Sequence, residues 1–391
     1  LDYLQQSLKI RREIGDRAGE GTTLNNISQV FKARGDYGKA LEYLEKSLAI
    51  QREIGDRAGE GTTLNNISQI YDARGDYGKA LEYLEKSLAI RREIGDRAGE
   101  GTTLNNISQI YDARGDYGKA LEYLEKSLAI RREIGDRAGE GTTLNNISQV
   151  FKARGDYGKA LEYLQQSLKI RREIGDRAGE GTTLNNLATT AYAGGDYATA
   201  LEYLQQSLKI SREIGDRKGE GTTLGNIGNI YQARGDYATA LEYLEQSLAI
   251  QREIGDRKGE GTTLNNLATT AYAGGDYATA LEYLEQSLAI QREIGDRAGL
   301  IPTLHNMAHI YQERNKLQES LECFAEALQL SIETNRPYDV FDESRDLGAL
   351  LCRVGDKKQG LALLQQALEI GRQMGHPETD EVQKLLQEYT A

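Results

Sequence analysis

The sequence repeats itself every 40 residues, and this period constrains the fold more than any other feature. Residues 57–96 and 97–136 are identical, and the tripeptide Gly-Asp-Tyr begins at residues 35, 75, 115, 155, 195, 235 and 275. A fixed period of this length is typical of solenoids, in which each repeat packs only against its neighbours. The sequence therefore predicts one continuous solenoid, although a length of 391 residues alone would suggest two or three domains.

Each repeat carries two amphipathic segments. In the first, apolar residues recur at the three-and-four spacing of a helix, at Tyr37, Ala40, Leu41, Leu44, Leu48 and Ile50. In the second they fall at Leu64, Ile67, Ile70 and Tyr71. We expect Asp36 to cap the first helix and Gly55 to adopt the left-handed conformation after its end. With no strand pattern in the repeats, the sequence predicts an all-α fold, an α-α solenoid of antiparallel helix pairs.

The repeats are regular over residues 1–300, of which 1–15 form a partial repeat, and they diverge over residues 301–391. All prolines, histidines, cysteines and methionines lie after residue 300. Because end repeats must cover an exposed face, we interpret the divergent repeats as a cap on the same solenoid. We expect nine helix pairs and a closing helix near 378–389. Pro302 is expected in a first helical turn, with a kinked helix as the alternative.

The repeat resembles the tetratricopeptide repeat. If Leu24 is counted as position 4, the family's characteristic positions 4, 7, 8, 11, 17, 20, 24 and 27 hold Leu24, Ile27, Ser28, Phe31, Tyr37, Ala40, Leu44 and Ser47. The repeat departs from the family in having Ser at position 27, six extra residues and no closing proline. The length and the phrase "TTLNN" look like the long-repeat branch typified by the Pins/LGN adaptors and kinesin light chain. The resemblance covers essentially the whole chain and implies a right-handed α-α superhelix.

The resemblance also implies a binding site, because in similar proteins first-helix positions 2, 5, 6, 9, 12 and 13 line a concave groove. At positions 5 and 6 we expect groove residues at Asn25, Asn26, Asn65, Asn66, Asn105, Asn106, Asn145, Asn146, Asn185, Asn186, Asn226, Asn265, Asn266, His305 and Asn306. At positions 9 and 12 we expect them at Gln29, Gln69, Asp72, Gln109, Asp112, Gln149, Tyr192, Asn229, Tyr272 and His309. Lys32, Lys152 and Gln232 also occupy position 12.

The paired asparagines allow two interpretations. An amide both donates and accepts a hydrogen bond, so a series of them can grip the backbone of an extended peptide. Alternatively, each amide bonds a neighbouring helix and holds the repeats together. For the second asparagine the two interpretations have equal weight. For the first, which Gly225 and His305 replace in two copies, we favour exposure in the groove.

Composition limits the partners and the compartment. The formal net charge is −12, spread over mixed acidic and basic residues in every repeat, so we do not expect nucleic acid as a partner. No apolar run is long enough to cross a bilayer, and no membrane partner is expected. Two cysteines cannot build a disulfide framework, which favours a cytoplasmic location. A monomer is favoured.

No motif predicts catalysis, a cofactor or a metal. His305 and His309 have a spacing that can hold zinc, but the intervening "NMA" lacks the glutamate of a metalloprotease helix, and the sequence places no third ligand. Lining of the groove is therefore the expectation for both. The repeated "GEG" lacks the strand and the Lys-Ser/Thr of a phosphate loop, so close helix packing or a loose first helical turn is expected there.

These features favour a scaffold that binds an extended segment or a helix of a partner protein in its groove. One alternative is the C-terminal sensor of a larger bacterial signalling or defence protein of the STAND type, because residue 1 lies within a repeat. The other is a self-assembling structural solenoid, since nearly identical repeats could stack end to end. The divergent C-terminal repeats argue against self-assembly. Catalysis ranks last.

Overall fold

The computed structural model describes residues 1–390, which form 20 α-helices and no strand. Their order matches the predicted partial helix, nine helix pairs and closing helix. The helices are α1 (Asp2–Glu13), α2 (Arg17–Ala33), α3 (Tyr37–Glu53), α4 (Arg57–Ala73), α5 (Tyr77–Glu93), α6 (Arg97–Ala113), α7 (Tyr117–Glu133), α8 (Arg137–Ala153), α9 (Tyr157–Glu173), α10 (Arg177–Ala193), α11 (Tyr197–Ile214), α12 (Arg217–Ala233), α13 (Tyr237–Ile254), α14 (Arg257–Ala273), α15 (Tyr277–Ile294), α16 (Arg297–Glu313), α17 (Leu317–Glu333), α18 (Pro337–Val354), α19 (Lys357–Met374) and α20 (Thr379–Thr390).

The helix boundaries follow from the repeated Gly-Asp. The Asp36 carboxylate accepts a hydrogen bond from the backbone N–H of Lys39 at 3.1 Å, which confirms the predicted N-cap of α3. Gly55 follows α3 with a φ of 73°, the left-handed conformation expected there. In the divergent repeats Asn315 and Asn335 take this conformation instead, with φ of 57° and 54°. Asparagine tolerates it better than other non-glycine residues do, so the turn survives the sequence change.

The chain forms two compact units, one of residues 1–196 and one that begins at Tyr197. Within each unit, the first helix of a repeat packs most extensively on the second helix that follows it, as α4 does on α5. First helices of successive repeats also touch, as α2 and α4 do. The cores contain the predicted apolar positions, including the buried Leu64, Ile67 and Ile70. Burial of each such side chain stabilises the fold by about 1.5–3 kcal/mol.

The serine at position 27 has a structural reason. Ser87 is fully buried on α5, and its Oγ donates a hydrogen bond to the backbone carbonyl of Gly61 on α4 at 2.8 Å. The same bond recurs from Ser47, Ser127, Ser167, Ser247 and Ser287. A small hydroxyl therefore keeps the two helices of a pair close. The hydrogen bond leaves no buried polar group of this serine unpaired.

A buried carboxylate joins successive repeats. Glu60 on α4 is only 5% exposed, and its Oε1 accepts a hydrogen bond from Arg52 Nε at 2.7 Å. Arg57 bonds the other carboxylate oxygen and also reaches Glu93 on α5. Two guanidinium groups thus compensate one buried charge, which would otherwise be costly to bury. The charged "EIGDR" segments therefore stabilise contacts between helices as well as facing solvent.

The expectation that Pro302 stands in a first helical turn is wrong. Asp296 caps α16 at the same point as in the regular repeats, so α16 begins at Arg297 and Pro302 falls in its second turn. A proline there cannot donate the backbone hydrogen bond of a helix interior. The helix nevertheless continues to Glu313.

Candidate functional site

Hydrogen bonds between asparagines connect successive first helices in the first unit. The Nδ2 of Asn66 on α4 donates to the Oδ1 of Asn25 on α2 at 2.8 Å. The second asparagine of each repeat therefore bonds the first asparagine of the repeat before it. The pattern repeats in the pairs Asn106–Asn65 at 3.1 Å, Asn146–Asn105 at 2.8 Å and Asn186–Asn145 at 3.0 Å. We call this series the amide ladder.

The first asparagine uses its other amide atom as well. The Nδ2 of Asn25 donates to Thr63 Oγ1 at 2.8 Å, and that hydroxyl donates to Gln51 Oε1 at 2.7 Å. Asn25 is buried, so the expected groove exposure of the first asparagine is not found there. The physical reason is that Asn25 lies between two first helices, where both ends of its amide have partners.

The remaining asparagines of the first unit lie closer to the surface. Asn26 is exposed, and the others are half-buried: Asn65, Asn66, Asn105, Asn106, Asn145, Asn146, Asn185 and Asn186. The ladder uses the Nδ2 of each second asparagine and not its carbonyl oxygen. The asparagines that take part in the ladder therefore connect successive repeats, as one of the two interpretations of the sequence predicts. A further contact with a partner through the second asparagine stays a prediction.

Positions 9 and 12 lie one and two turns beyond the ladder on the same helices. We call the face that carries positions 5, 6, 9 and 12 the first-helix face. A cavity of about 270 Å³ opens on it. Its polar lining comes from three repeats, namely Lys32, Gln69, Asp72, Asn106 and Gln109, and its apolar lining includes Leu84 and Ile110.

Burial shifts the pKa values of the charged groups in this cavity. It lowers the pKa of Lys32 below its ordinary value, although the Asp72 carboxylate acts in the opposite sense. It raises the pKa of Asp72, and burial also raises the pKa of Asp112, which lies on α6 outside the lining of this cavity. Lys32 Nζ donates to Gln69 Oε1 at 2.5 Å. These charges are incompletely solvated, and contact with a complementary polar group would stabilise them.

Two buried polar atoms on the first-helix face have no hydrogen-bond partner, Gln29 Nε2 and Asp112 Oδ1. One is a donor and the other is an acceptor, and buried groups of this kind are normally paired. The extended backbone of a protein offers both C=O and N–H groups. Gln149 is half-buried and Gln109 exposed at the equivalent position of other repeats.

The second unit carries a shorter version of this pattern. Asn265 Nδ2 donates to Thr303 Oγ1 at 2.6 Å and to Ser287 Oγ at 2.9 Å, while its Oδ1 is buried without a partner. A cavity of about 340 Å³ near α12 and α14 has Asn226, Asn229 and Asn266 in its lining. A smaller one of about 160 Å³ is lined by Tyr272, Asn306 and His309, among others. Tyr192, in the first unit, is 38% exposed.

The divergent repeats replace the amides by histidines and carboxylates. His305 Nδ1 on α16 lies 2.9 Å from Glu343 Oε1 on α18, and its Nε2 lies 3.1 Å from His309 Nε2. Asp346 Oδ2 is 3.5 Å from His309 Nε2 and 4.0 Å from His305 Nε2. We call these four residues the histidine–carboxylate cluster.

The cluster is electrostatically coupled. Burial alone would lower the pKa of His305, but the hydrogen bond to Glu343 and the nearby carboxylates raise it above its ordinary value. Burial would raise the pKa of Asp346, but hydrogen bonds from His309 and Arg345 lower it to about 2. Arg345 Nε donates to Asp346 Oδ1 at 2.7 Å and its Nη2 donates to Oδ2 at 3.1 Å. Asp346 Oδ2 therefore contacts the guanidinium group as well as the histidines.

Sequence reasoning predicted both histidines but missed Glu343 and Asp346. The period offered a signal for them. His305 and Glu343 are 38 residues apart, as are Asn25 and Thr63. Asp346 follows His305 at the interval of 41 that separates Asn66 from Asn25. Once the ladder contacts are known, the same intervals identify the partners of His305.

The fold and the amide ladder place this protein in the class of all-α solenoids, which are built from stacked helix pairs. A tetratricopeptide repeat model matches residues 1–53, 30–93, 59–133, 99–173, 139–213, 219–293, 259–333 and 299–373. The chain therefore belongs to the tetratricopeptide repeat family. Members of this family are typically non-catalytic scaffolds. None of the helices in residues 1–390 combines the length and apolar character needed to cross a membrane.

Solved structures share the fold at low sequence identity. A signal-transduction ATPase with a tetratricopeptide repeat sensor from Pyrococcus horikoshii aligns with a TM-score of 0.57 and 18% identity over 90% of this chain and 55% of that one. A Rap protein in complex with competence and sporulation factor aligns with a TM-score of 0.55 and 15% identity, over 92% and 99% of the respective chains. Aspartyl phosphate phosphatase F from Bacillus subtilis gives 0.55 and 15%, over 90% and 93%. Among curated proteins, no significant match was found.

Proposed function

We propose that the chain is a protein-interaction scaffold that binds an extended segment or a helix of a partner protein on its first-helix face. The observation that carries the proposal is the cavity of about 270 Å³ on the first unit, lined by predicted groove residues of three repeats. It combines amides, one lysine and one aspartate with aliphatic side chains. This mixture suits a polypeptide, whose backbone both donates and accepts hydrogen bonds.

The unpaired atoms of Gln29 and Asp112 support the same proposal, because a bound backbone would supply the missing partners. Repetition supports it too, since equivalent residues on successive helices offer many modest contacts along one segment. The Rap protein solved with competence and sporulation factor offers a precedent for a bound factor in this fold.

The test should spare the amide ladder, because alanine at Asn66 or Asn106 would disturb the stacking. We would capture partners from extracts of the host with the intact chain and with the Gln69→Ala/Gln109→Ala variant. Partners recovered only by the intact chain would be mapped by cross-linking, and their contacting segment would be synthesised. Loss of two hydrogen bonds should weaken binding of that segment by about tenfold or more.

Glu85→Ala, an exposed change on α5, is the matched control and should leave binding unchanged. Circular dichroism should show equal helicity in all three proteins. Equal affinity of the intact chain and the double variant for the segment, or cross-links confined to second helices, would contradict the assignment of the first-helix face.

A second candidate function is the sensor region of a larger signalling protein. Its support is the likeness to the ATPase with a tetratricopeptide repeat sensor, which extends over 90% of this chain. The full reading frame of the gene tests it. A nucleotide-binding domain encoded upstream would favour a sensor, and a frame containing only repeats would leave the scaffold.

A further inference from the structure

We propose that His305, His309 and Asp346 form a binding site for one divalent transition-metal ion, with Zn²⁺ as the ion of best chemical fit. The sequence places only two of these ligands together, and the structure adds the third from the next repeat. Two imidazole nitrogens and one carboxylate oxygen are a common donor set for zinc in proteins.

The distances among the three donor atoms fit one ion. In a tetrahedral zinc site with bonds of about 2.0–2.1 Å, neighbouring ligand atoms lie roughly 3.3 Å apart. Here the two Nε2 atoms are separated by 3.1 Å, and Asp346 Oδ2 lies 3.5 Å from His309 Nε2 and 4.0 Å from His305 Nε2. The three donors therefore surround a position that a zinc ion can reach with small side-chain rotations.

Glu343 supplies the outer support that metal-binding histidines usually have. Its Oε1 lies 2.9 Å from His305 Nδ1, so the ring can donate its proton there and keep the Nε2 lone pair for a ligand bond. Arg345 fixes the Asp346 carboxylate by donating from Nε to Oδ1 at 2.7 Å and from Nη2 to Oδ2 at 3.1 Å, and a carboxylate oxygen that accepts one hydrogen bond keeps a lone pair for a metal ion. Phe324 packs edge-on against both imidazole rings, with centroids 5.7 and 5.2 Å away, and limits their rotation.

Burial of negative charge provides an independent reason for a cation. Glu343 is 2% exposed, and its Oε2 is buried without a hydrogen-bond partner. Asp346 faces the same histidines but is already paired with Arg345, so the uncompensated charge is that of Glu343. A divalent ion between the imidazoles would compensate this charge, whereas asparagine and threonine at the corresponding positions of the regular repeats bring none.

His309 and Asn306 also line the cavity of about 160 Å³, so a fourth coordination position can open toward it. Three protein ligands with an open position are typical of zinc sites that accept an exogenous ligand. The ion would join α16 to α18, two successive first helices.

The test uses the whole chain without a histidine tag, treated with a chelator and then titrated with ZnCl₂ by calorimetry. We expect one zinc per chain, confirmed by elemental analysis after gel filtration. Loss of a ligand in His309→Gln or Asp346→Asn should weaken binding by more than about 100-fold. Glu343→Gln should weaken it by about 10- to 100-fold, as expected for an outer-shell partner. Co²⁺ should give the visible absorption of a four-coordinate site in the intact chain but not in the His309→Gln or Asp346→Asn variant.

His376→Gln, which removes the third histidine, is the matched control and should bind zinc like the intact chain. The two ligand variants introduce residue types that regular repeats carry at positions 9 and 6, at Gln69 and Asn66, so the fold should tolerate them. Unchanged zinc affinity in the folded His309→Gln variant, or sub-stoichiometric binding by the intact chain, would overturn the proposal. Either result would assign the cluster to stacking of the repeats alone.

Discussion

The amide ladder of the first unit and the histidine–carboxylate cluster of the second occupy the same repeat positions but differ in chemistry. Asn25 donates to Thr63 and accepts from Asn66, whereas His305 contacts Glu343 and lies near Asp346 at the same intervals. The backbone thus brings these positions together in either repeat type. The side chains decide whether the contact is a neutral hydrogen bond or a charged site.

The ladder and the cluster also differ in the free-energy cost of burying their polar groups. An amide pair remains neutral and needs no counter-charge, so the ladder can recur without a growing desolvation cost. A buried carboxylate needs a proton, a cation or several donors, and this requirement makes the cluster sensitive to its surroundings. Substitutions that disturb one region and not the other can test the comparison.

The largest expected effect comes from Phe324→Ala. Phe324 is fully buried where the regular repeats have leucine, and it packs against both histidine rings. Its removal should lower the free energy of unfolding by about 3–5 kcal/mol, because a cavity remains. Guanidinium denaturation followed by circular dichroism measures the loss. Phe324→Leu should cost less, and a loss of under about 1 kcal/mol for the alanine variant would show that the cluster does not depend on this ring.

A smaller loss is expected when the ladder is broken. In Asn105→Ala the Nδ2 of Asn146 loses its acceptor, which should cost about 1–2 kcal/mol. Asn26→Ala is the matched control, since that asparagine is exposed at the start of the ladder and should change stability by under about 0.5 kcal/mol. Thermal unfolding of both variants measures the two stability losses. Equal effects would mean that the ladder bonds add nothing to stability.

A still smaller net change is expected when the cluster is converted into a ladder. The triple variant His305→Asn/Glu343→Thr/Asp346→Asn introduces the residue types of Asn25, Thr63 and Asn66 at equivalent positions. With a chelator present, its unfolding free energy should stay within about 1 kcal/mol of the original, because one hydrogen-bonded network replaces another and Arg345 keeps Asp342 and Glu378 as partners. The single change Glu343→Thr should be more harmful than the triple one. If the triple variant were the less stable, the two regions would not be equivalent.

The smallest effect is a pH dependence of the cluster in the presence of a chelator. The pKa of His305 is raised above its usual 6.5 by Glu343, so this pairing stabilises the fold below that pH and is lost as the pH rises through the folded-state value. The imidazole of His305 is also faced by His309, Asp346 and Asp342. The pKa of Glu343 is raised by its burial, and this too favours the folded state on the acidic side.

Thermal unfolding at about pH 6 and about pH 8 measures this dependence in the intact chain and in His305→Asn. The stability of the intact chain relative to the variant should fall between the two pH values. A constant or rising difference would contradict the role assigned to the Glu343 contact. The amide ladder has no titrating group, so Asn105→Ala should show a constant difference from the intact chain over the same range.

Much of the architecture could be predicted because it depends on local patterns. Apolar spacing predicted the helices, Gly-Asp predicted their boundaries, and the period predicted the number of pairs. The position of Pro302 was mispredicted, since the helix start depends on the cap at Asp296 rather than on the proline. At the candidate site the residue positions followed from the family resemblance, but the sequence could not assign hydrogen-bond partners. Burial of Asn25 results from contact with the next repeat, which no local pattern reveals.

By itself, the sequence determined that this protein is an all-α solenoid, because a 40-residue period and helical apolar spacing leave few other ways to bury the apolar faces. Only the tertiary structure decided what the polar side chains do. Asparagines 41 residues apart form one ladder, and His305 reaches Glu343 across 38 residues, because stacking brings each first helix against the next. Contacts between repeats depend on how close two side chains lie in space, and that closeness is set only when the helices pack.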